Sequence, residues 1–390
     1  MKDKPTSFRS FLAPTLFLAL IFFVNFLARI ILAPLMPTME NDLGLSHAEA
    51  GSLFLWITIG YLITLPCSGF FSARWTHRWA IIVSASAVGM ALLGISFTGS
   101  ARTLGIALFL LGMSTGLYFP SGIATLTSLI PPRHWGKGMA IHELGPNLAF
   151  VIGPLICEAL LGWTSWQGVL AMMGGASLIL GLGFFRFGKG GEFPGQAPSP
   201  ASFSPLFRDP SCWLMMVLYG LGISGSLGVY TMLPLTLVTE HGMDRNWANT
   251  LVALSRISGV AMVFLAGWAT DRLGARKTLF GVFLLTGLST VGLGAASGLW
   301  VVFLVFLQPA LAACFFPPGL AALSSIGSPQ VRNVTVSLTI PLSFLFGGGA
   351  VPTFIGMMGD AGSFSMGIGI VGGLILMGAS LSLLLKPPQR

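Results

Sequence analysis

Two arginines lie where a charge is unfavourable. Arg29 and Arg256 sit inside long apolar runs. A cation in hydrocarbon costs about 2.5–3.5 kcal/mol, so such a residue is kept for a task. If the runs are helices, Arg29 is eight residues before Pro37 and Arg256 nine residues after Trp247. At 1.5 Å per residue both then lie roughly 12–14 Å below the same surface. A carboxylate or phosphate held between them would engage both guanidinium forks. The plainer alternative is that each reaches the surface or a helix-end carbonyl. Asn25, one turn before Arg29, shares its face. Glu143, preceded by His142, lies in another apolar run six residues past Lys137. A carboxyl between an apolar surround and a nearby cation can take up and release a proton. Its plain alternative is an ion pair with Lys137, Arg133 or Arg78. His142 reads first as a packing residue and second as an alternative proton carrier. No Walker A loop or HExxH occurs, and Cys67, Cys157, Cys212 and Cys314 form no CxxC or Cys/His cluster. Neither an ATP motor, a hydrolase, a disulfide framework, a cofactor nor a metal site is expected.

The elements that must carry these residues follow from composition. The 390 residues are 54% hydrophobic and 8% charged, against about 25% charged in soluble domains. So few charges cannot cover a water-facing surface, so a soluble enzyme is excluded. The 51 glycines and 24 prolines fall within apolar runs, as they do in transmembrane helices. The net charge of +8 forms no patch, so no nucleic-acid partner is expected. The first apolar run follows Lys2, Lys4 and Arg9 but is too long for a signal peptide. Twelve runs can span a bilayer: 11–37, 49–72, 79–98, 103–130, 138–161, 167–185, 211–237, 247–270, 278–297, 300–326, 334–357 and 363–385. The runs are continuous rather than alternating, so helices and not a barrel are expected. The longest polar break, 186–210, reads as a flexible linker that divides the chain into 1–185 and 211–390, six spans each. With both termini in the cytoplasm, sixteen of the 20 Lys and Arg fall on the cytoplasmic side, and only Arg102 and Arg245 on the outer side. Glu158, near the outer end of the fifth span, is expected to be solvated.

The halves repeat at an offset of 197–198. Tyr118-Phe-Pro-Ser-Gly matches Phe315-Phe-Pro-Pro-Gly, Gly69 to Arg78 matches Gly267 to Arg276, Pro37 matches Pro234 and Gly44 matches Gly242. Six spans per half give both copies one orientation, and parallel repeats place a site between the halves at mid-membrane.

Gly267-x-x-x-Asp-Arg-x-Gly-x-Arg-Lys277 resembles the signature loop of the major facilitator superfamily, and the resemblance covers nearly the whole chain. Asn25-Phe-Leu-Ala-Arg-Ile-Ile-Leu-Ala-Pro-Leu-Met-Pro37 is similar to a stretch of its anion:cation symporter branch. Ala28 stands there in place of the branch's Asp, and Ala73 departs from the first signature loop in the same way. The resemblance implies an all-α membrane protein of twelve helices in two pseudo-symmetric six-helix bundles. It implies Arg29 as the substrate-anion residue, and Tyr61, Tyr118, Asn147, Tyr230 and Gln308 on cavity-lining spans. Each of these is also of a type that bonds helix to helix. It makes Asp271, Arg272 and Arg276 gate residues, the two arginines serving equally as topology signals. The expected protein is a monomeric secondary transporter in the inner plasma membrane, embedded in lipid. It takes up a small organic anion, a mono- or dicarboxylate, with protons. An exchanger of organophosphate or inorganic anions is the first rival and a multidrug exporter the second. Span five lacks the Gly-Pro-x-x-Gly-Gly stretch of drug antiporters. A non-transporting receptor or enzyme built on a transporter fold is the third rival.

Overall fold

The computed structural model describes residues 8–197, 210–325 and 338–385. Among them twelve helices are long and apolar enough to cross a membrane. They are α1 (Arg9–Leu43), α2 (His47–Arg74), α3 (His77–Ser96), α4 (Ala101–Leu129), α5 (Pro132–Leu161), α6 (Trp166–Phe187), α7 (Pro210–Thr239), α8 (Arg245–Leu273), α9 (Ala275–Ala295), α10 (Leu299–Leu323), α11 (Leu338–Asp360) and α12 (Phe364–Ser382). No strand occurs among the described residues. The chain is an all-α, multi-pass membrane protein. Lys2, Lys4, Arg208, Arg332, Lys386 and Arg390, counted above as cytoplasmic, lie outside the described residues.

Local chemistry sets the helix ends. Ser46 and Glu49 form a reciprocal capping box that starts α2. Asp244 accepts from the Trp247 N–H at the start of α8, and Ser363 from the Met366 N–H at the start of α12. The repeat-related Gly44 and Gly242 both turn left-handed, at φ 61° and 63°, after α1 and α7. That conformation explains why glycine stands at both places.

Within the first half α1 packs on α5, α2 on α4 and α3 on α6; within the second, α9 packs on α12 and α8 on α10. Between halves, the end of α1 packs on α7, α2 on α11, and α5 on the Arg245–Ser255 segment of α8. These contacts are drawn tight at the face where α1 ends, here called the far face. There a Cβ on Gly51 would meet the Pro352 carbonyl carbon at 2.8 Å, so the α2 and α11 backbones touch. Asp360 of α11 accepts from the His47 and Ala48 N–H groups at 2.8 and 3.0 Å, capping α2 from the other half.

Glu158 is not solvated as the sequence led us to expect. Its side chain is 8% exposed. It accepts from Arg245 Nε at 3.1 Å and from Asn249 Nδ2, while Arg245 Nη1 donates to Thr38 at 3.2 Å. Arg245 arrives from the opposite half and packs over the carboxylate, which removes it from water.

At the opposite, near face, the Ile257–Leu273 segment of α8 leaves α5 and packs on α9 and α10. Glu143, Leu144, Asn147 and Leu148 of α5 are exposed there.

The expectation of a flexible linker fails for its first part. His77 and Arg78 N–H donate to the carbonyls of Phe193 and Gly191, and Gly195 N–H donates to Ser72 O. Residues 191–195 therefore form a strap bonded across the α2–α3 turn. The Arg78 side chain donates to the carbonyls of Phe184, Phe185 and Gly188, capping the end of α6.

Candidate functional site

Both arginines are partly buried and sit beside a break in their own helix. The helical pattern of α1 lapses at Ile31 and that of α8 at Arg256 itself, where Arg256 and Gly259 N–H groups reach back three residues. Two further irregularities face them. α7 carries a π-helical turn at Ser224–Gly228 and α11 one at Phe344–Ala350. A π turn disturbs the regular ladder and turns carbonyls toward other partners. Those of Gly225 and Ser226 are taken by Gln308 Nε2 at 2.8 Å and Arg256 Nη2 at 2.6 Å.

The guanidinium groups are wrapped in aromatic rings. Arg29 lies 4.7 Å from the Phe26 ring, 4.5 Å from Tyr61 and 5.4 Å from Phe344. Arg256 lies 4.5 Å from Phe150 and 4.3 Å from Tyr230. Phe26 and Phe150 meet edge to face at 5.1 Å, so one ring pair joins the two arginine sites. Cation–π attraction stabilises each charge by up to about 2 kcal/mol when desolvated. It leaves hydrogen-bond donors unspent: the Nε of both arginines is buried without a partner. Such groups cost about 1–3 kcal/mol or more when left unpaired, so an arriving anion has donors waiting for it. A small void lies against Arg29, between α1 and α2 of one half and α7 and α11 of the other.

The remaining expected residues divide. Tyr61 lines the void. Tyr230 covers Arg256, and its hydroxyl donates to Phe150 O at 3.4 Å. Asn25 does not face the void: it donates to Ser84 and to the Thr115 carbonyl, at 3.3 and 3.4 Å. Four residues advance a helix by more than a full turn, which swings Asn25 toward α3 and α4. Gln308 is 2% exposed and bonds helix to helix, and Asn147 donates to the Glu143 carbonyl within α5. Tyr118 is also withdrawn from the void, its hydroxyl donating to Leu18 O at 2.7 Å.

That last bond decides which nitrogen of His142 donates to the phenol. The tyrosine proton is spent on Leu18, so His142 Nε2, 3.1 Å away, must be the donor to the phenol oxygen. In a neutral ring Nδ1 is then the bare nitrogen. It is buried, lacks a hydrogen-bond partner and stands 3.6 Å from Glu143 Oε1. Glu143 is half exposed, while His142 is fully buried and stacked 4.4 Å from Phe22. Asp271, Arg272 and Arg276 are exposed at the near face and form no ion pair among the described residues. Neither is there a group of three or more metal-ligating side chains among those residues.

The family model of the Major Facilitator Superfamily matches residues 18–268 and 228–390. The chain belongs to the Major Facilitator Superfamily. It is accordingly a transporter-family protein and not an enzyme. It is 24% identical over 298 residues to a gallate transporter of Pseudomonas putida, covering 67% of this chain and 66% of that one. A protein named as a tartrate transporter in Agrobacterium vitis is 26% identical, covering 95% of this chain and 92% of its own. The fold matches a crystal structure of a bacterial homologue of the human lysosomal transporter Spinster, inward-facing and occupied. The TM-score is 0.83 at 16% identity, over 98% of this chain and 97% of that one.

The sequence reading missed Phe26, Phe150 and Phe344, the rings that hold the arginines, and the Glu158–Arg245–Asn249 cluster. Nothing marks three phenylalanines among 30. Glu158 did carry a signal, as an acidic residue inside an apolar run.

Proposed function

We propose that this superfamily member is a secondary transporter of a small organic anion, a mono- or dicarboxylate, taken up with protons by alternating access. One observation carries the reading: two partly buried arginines, one from each half and each beside a helix break, keep buried, unpartnered Nε–H donors around a shared aromatic pair. An anion held there would be attracted to both halves, so its presence would favour the states in which they close around it. The names of the gallate and tartrate relatives support the same class.

In this reading the two moving units are residues 1–185 and 211–390, joined by 186–210, and the protein works as a monomer in the inner membrane. The near face is cytoplasmic because most Lys and Arg gather there. The far-face seal and the parting of α5 and α8 then describe an inward-open state. His142 and Glu143 carry the coupling proton. Tyr61 and Tyr230 serve the site through the arginines, and Asp271 with Arg272 and Arg276 forms the near-face gate.

Counterflow in proteoliposomes tests transport, and alkalinisation of the medium on adding substrate tests symport. Counterflow without alkalinisation would favour an anion exchanger. Absence of counterflow with every organic anion would remove the reading.

A further inference from the structure

The void against Arg29 has a polar inventory too short for most biological acids. Its lining contributes four side chains that could bond a ligand: Arg29, Tyr61, Thr58 and Thr231. Both threonine protons are spent within their own helices. Thr58 donates to the Phe54 and Leu55 carbonyls at 3.1 and 3.0 Å, and Thr231 to Gly228 O at 3.0 Å. Thr231 is also 1% exposed, so its oxygen is out of reach. Among acceptors this leaves the Thr58 oxygen and the Tyr61 phenol. Apart from the backbone at Gly348, the rest of the wall is hydrocarbon, including Ile30, Ile57 and Leu227.

The cation inventory is equally short. Arg256 does not line this void. Phe150 and Tyr230 flank its guanidinium, and Nη2 is bound to Ser226 O. Arg29 alone presents charge here. Phe26, Tyr61 and Phe344 surround its guanidinium, and Nε is left bare. A carboxylate that joins the guanidinium in its plane comes to lie among the same rings, which continue over whatever the carboxylate is attached to. A flat or slender apolar body fits between them. A second carboxylate would find no cation in the void, and several hydroxyls would find too few acceptors. A buried polar group without a partner is the feature that discriminates most strongly between ligands.

We propose that the substrate is a monocarboxylate with an apolar, unhydroxylated body. This deepens the proposed function and rests on its reading of Arg29 as the anion-binding group.

The test is binding of a matched panel to the purified full-length protein, by thermal shift and by competition in counterflow. The probes are benzoate, 3,4,5-trihydroxybenzoate, hexanoate, succinate, tartrate and nitrate. Benzoate and hexanoate should bind at least tenfold more tightly than the other four, and Arg29→Lys should weaken benzoate tenfold or more. Trihydroxybenzoate, succinate or tartrate binding as tightly as benzoate, with that binding lost in Arg29→Lys, overturns the apolar class and leaves the organic-anion reading standing. Nitrate as the tightest ligand overturns the class in favour of an inorganic anion. No binding by any carboxylate overturns both readings together.

Discussion

Arg29 and Arg256 differ in what holds them, and substitution should expose the difference. Lysine keeps the charge of either arginine but loses the planar fork. We expect Arg29→Lys to weaken anion binding by on the order of 2–5 kcal/mol, as a charged hydrogen-bond pair is lost, and Arg256→Lys, whose Nη2 is bound to Ser226 O outside the void, to weaken it less. Titration calorimetry checks this, and wild-type affinity in a folded Lys variant would make that arginine structural. A second expectation concerns the proton. Glu143→Gln removes the exposed carboxylate beside bare His142 Nδ1. It should keep counterflow and lose accumulation driven by a pH gradient. Gradient-driven uptake that persists in Glu143→Gln vesicles, but vanishes in His142→Gln, would move the proton wholly to the imidazole. At this scale the sequence was legible where a charge stood in hydrocarbon, since Arg29, Arg256 and Glu143 announce themselves. It was illegible where a polar group found a partner far along the chain. Tyr118 bonds Leu18, 100 residues away, and Asn25 bonds Thr115, 90 away. No local pattern records such a bond.

Among the elements, the contact of α2 with α11 depends on the absence of side chains. A Cβ on Gly356 would lie 2.8 Å from the His47 carbonyl carbon. Gly356→Val should therefore wedge the far face apart and raise the labelling there of an engineered cysteine. Arg245→Ala attacks the same seal through Glu158. The arginine is 38% exposed, so water offsets part of the loss. A shift of roughly 1–2 kcal/mol, about five- to thirtyfold in population, is expected. Labelling equal to wild type in both variants would deny the far-face contacts a gating role. The helices themselves were readable because hydropathy marks twenty-residue runs whatever they pack against. One break was readable too: the pattern of α1 lapses at Ile31, where Pro34 supplies no N–H to the Ile30 carbonyl. The break of α8 at Arg256 has no proline near it.

On the scale of the whole molecule, the two copies of the signature loop have parted in role. Asp271 and Arg272 are exposed and unpaired while the near face is open, so any bond they make belongs to the closed state. Asp271→Asn should then leave the far-face seal unchanged and tilt the balance further toward near-face opening, by at most a few kcal/mol. Near-face cysteine accessibility reads this, and equal labelling would count against a gate at Asp271. The first copy, with Ala73, has its Arg78 committed to the end of α6. The strap laid over that loop also shortens the leash between the halves. Of the stretch the sequence offers as a linker, the part up to Gly195 is already bonded to the first half. What remains before α7 begins at Pro210 can extend to roughly 50 Å at most, at 3.3–3.6 Å per residue. The near-face excursion of one half relative to the other is bounded by that contour. Deleting residues between 198 and 209 should make the leash, rather than the gate, the limit on how wide the transporter opens.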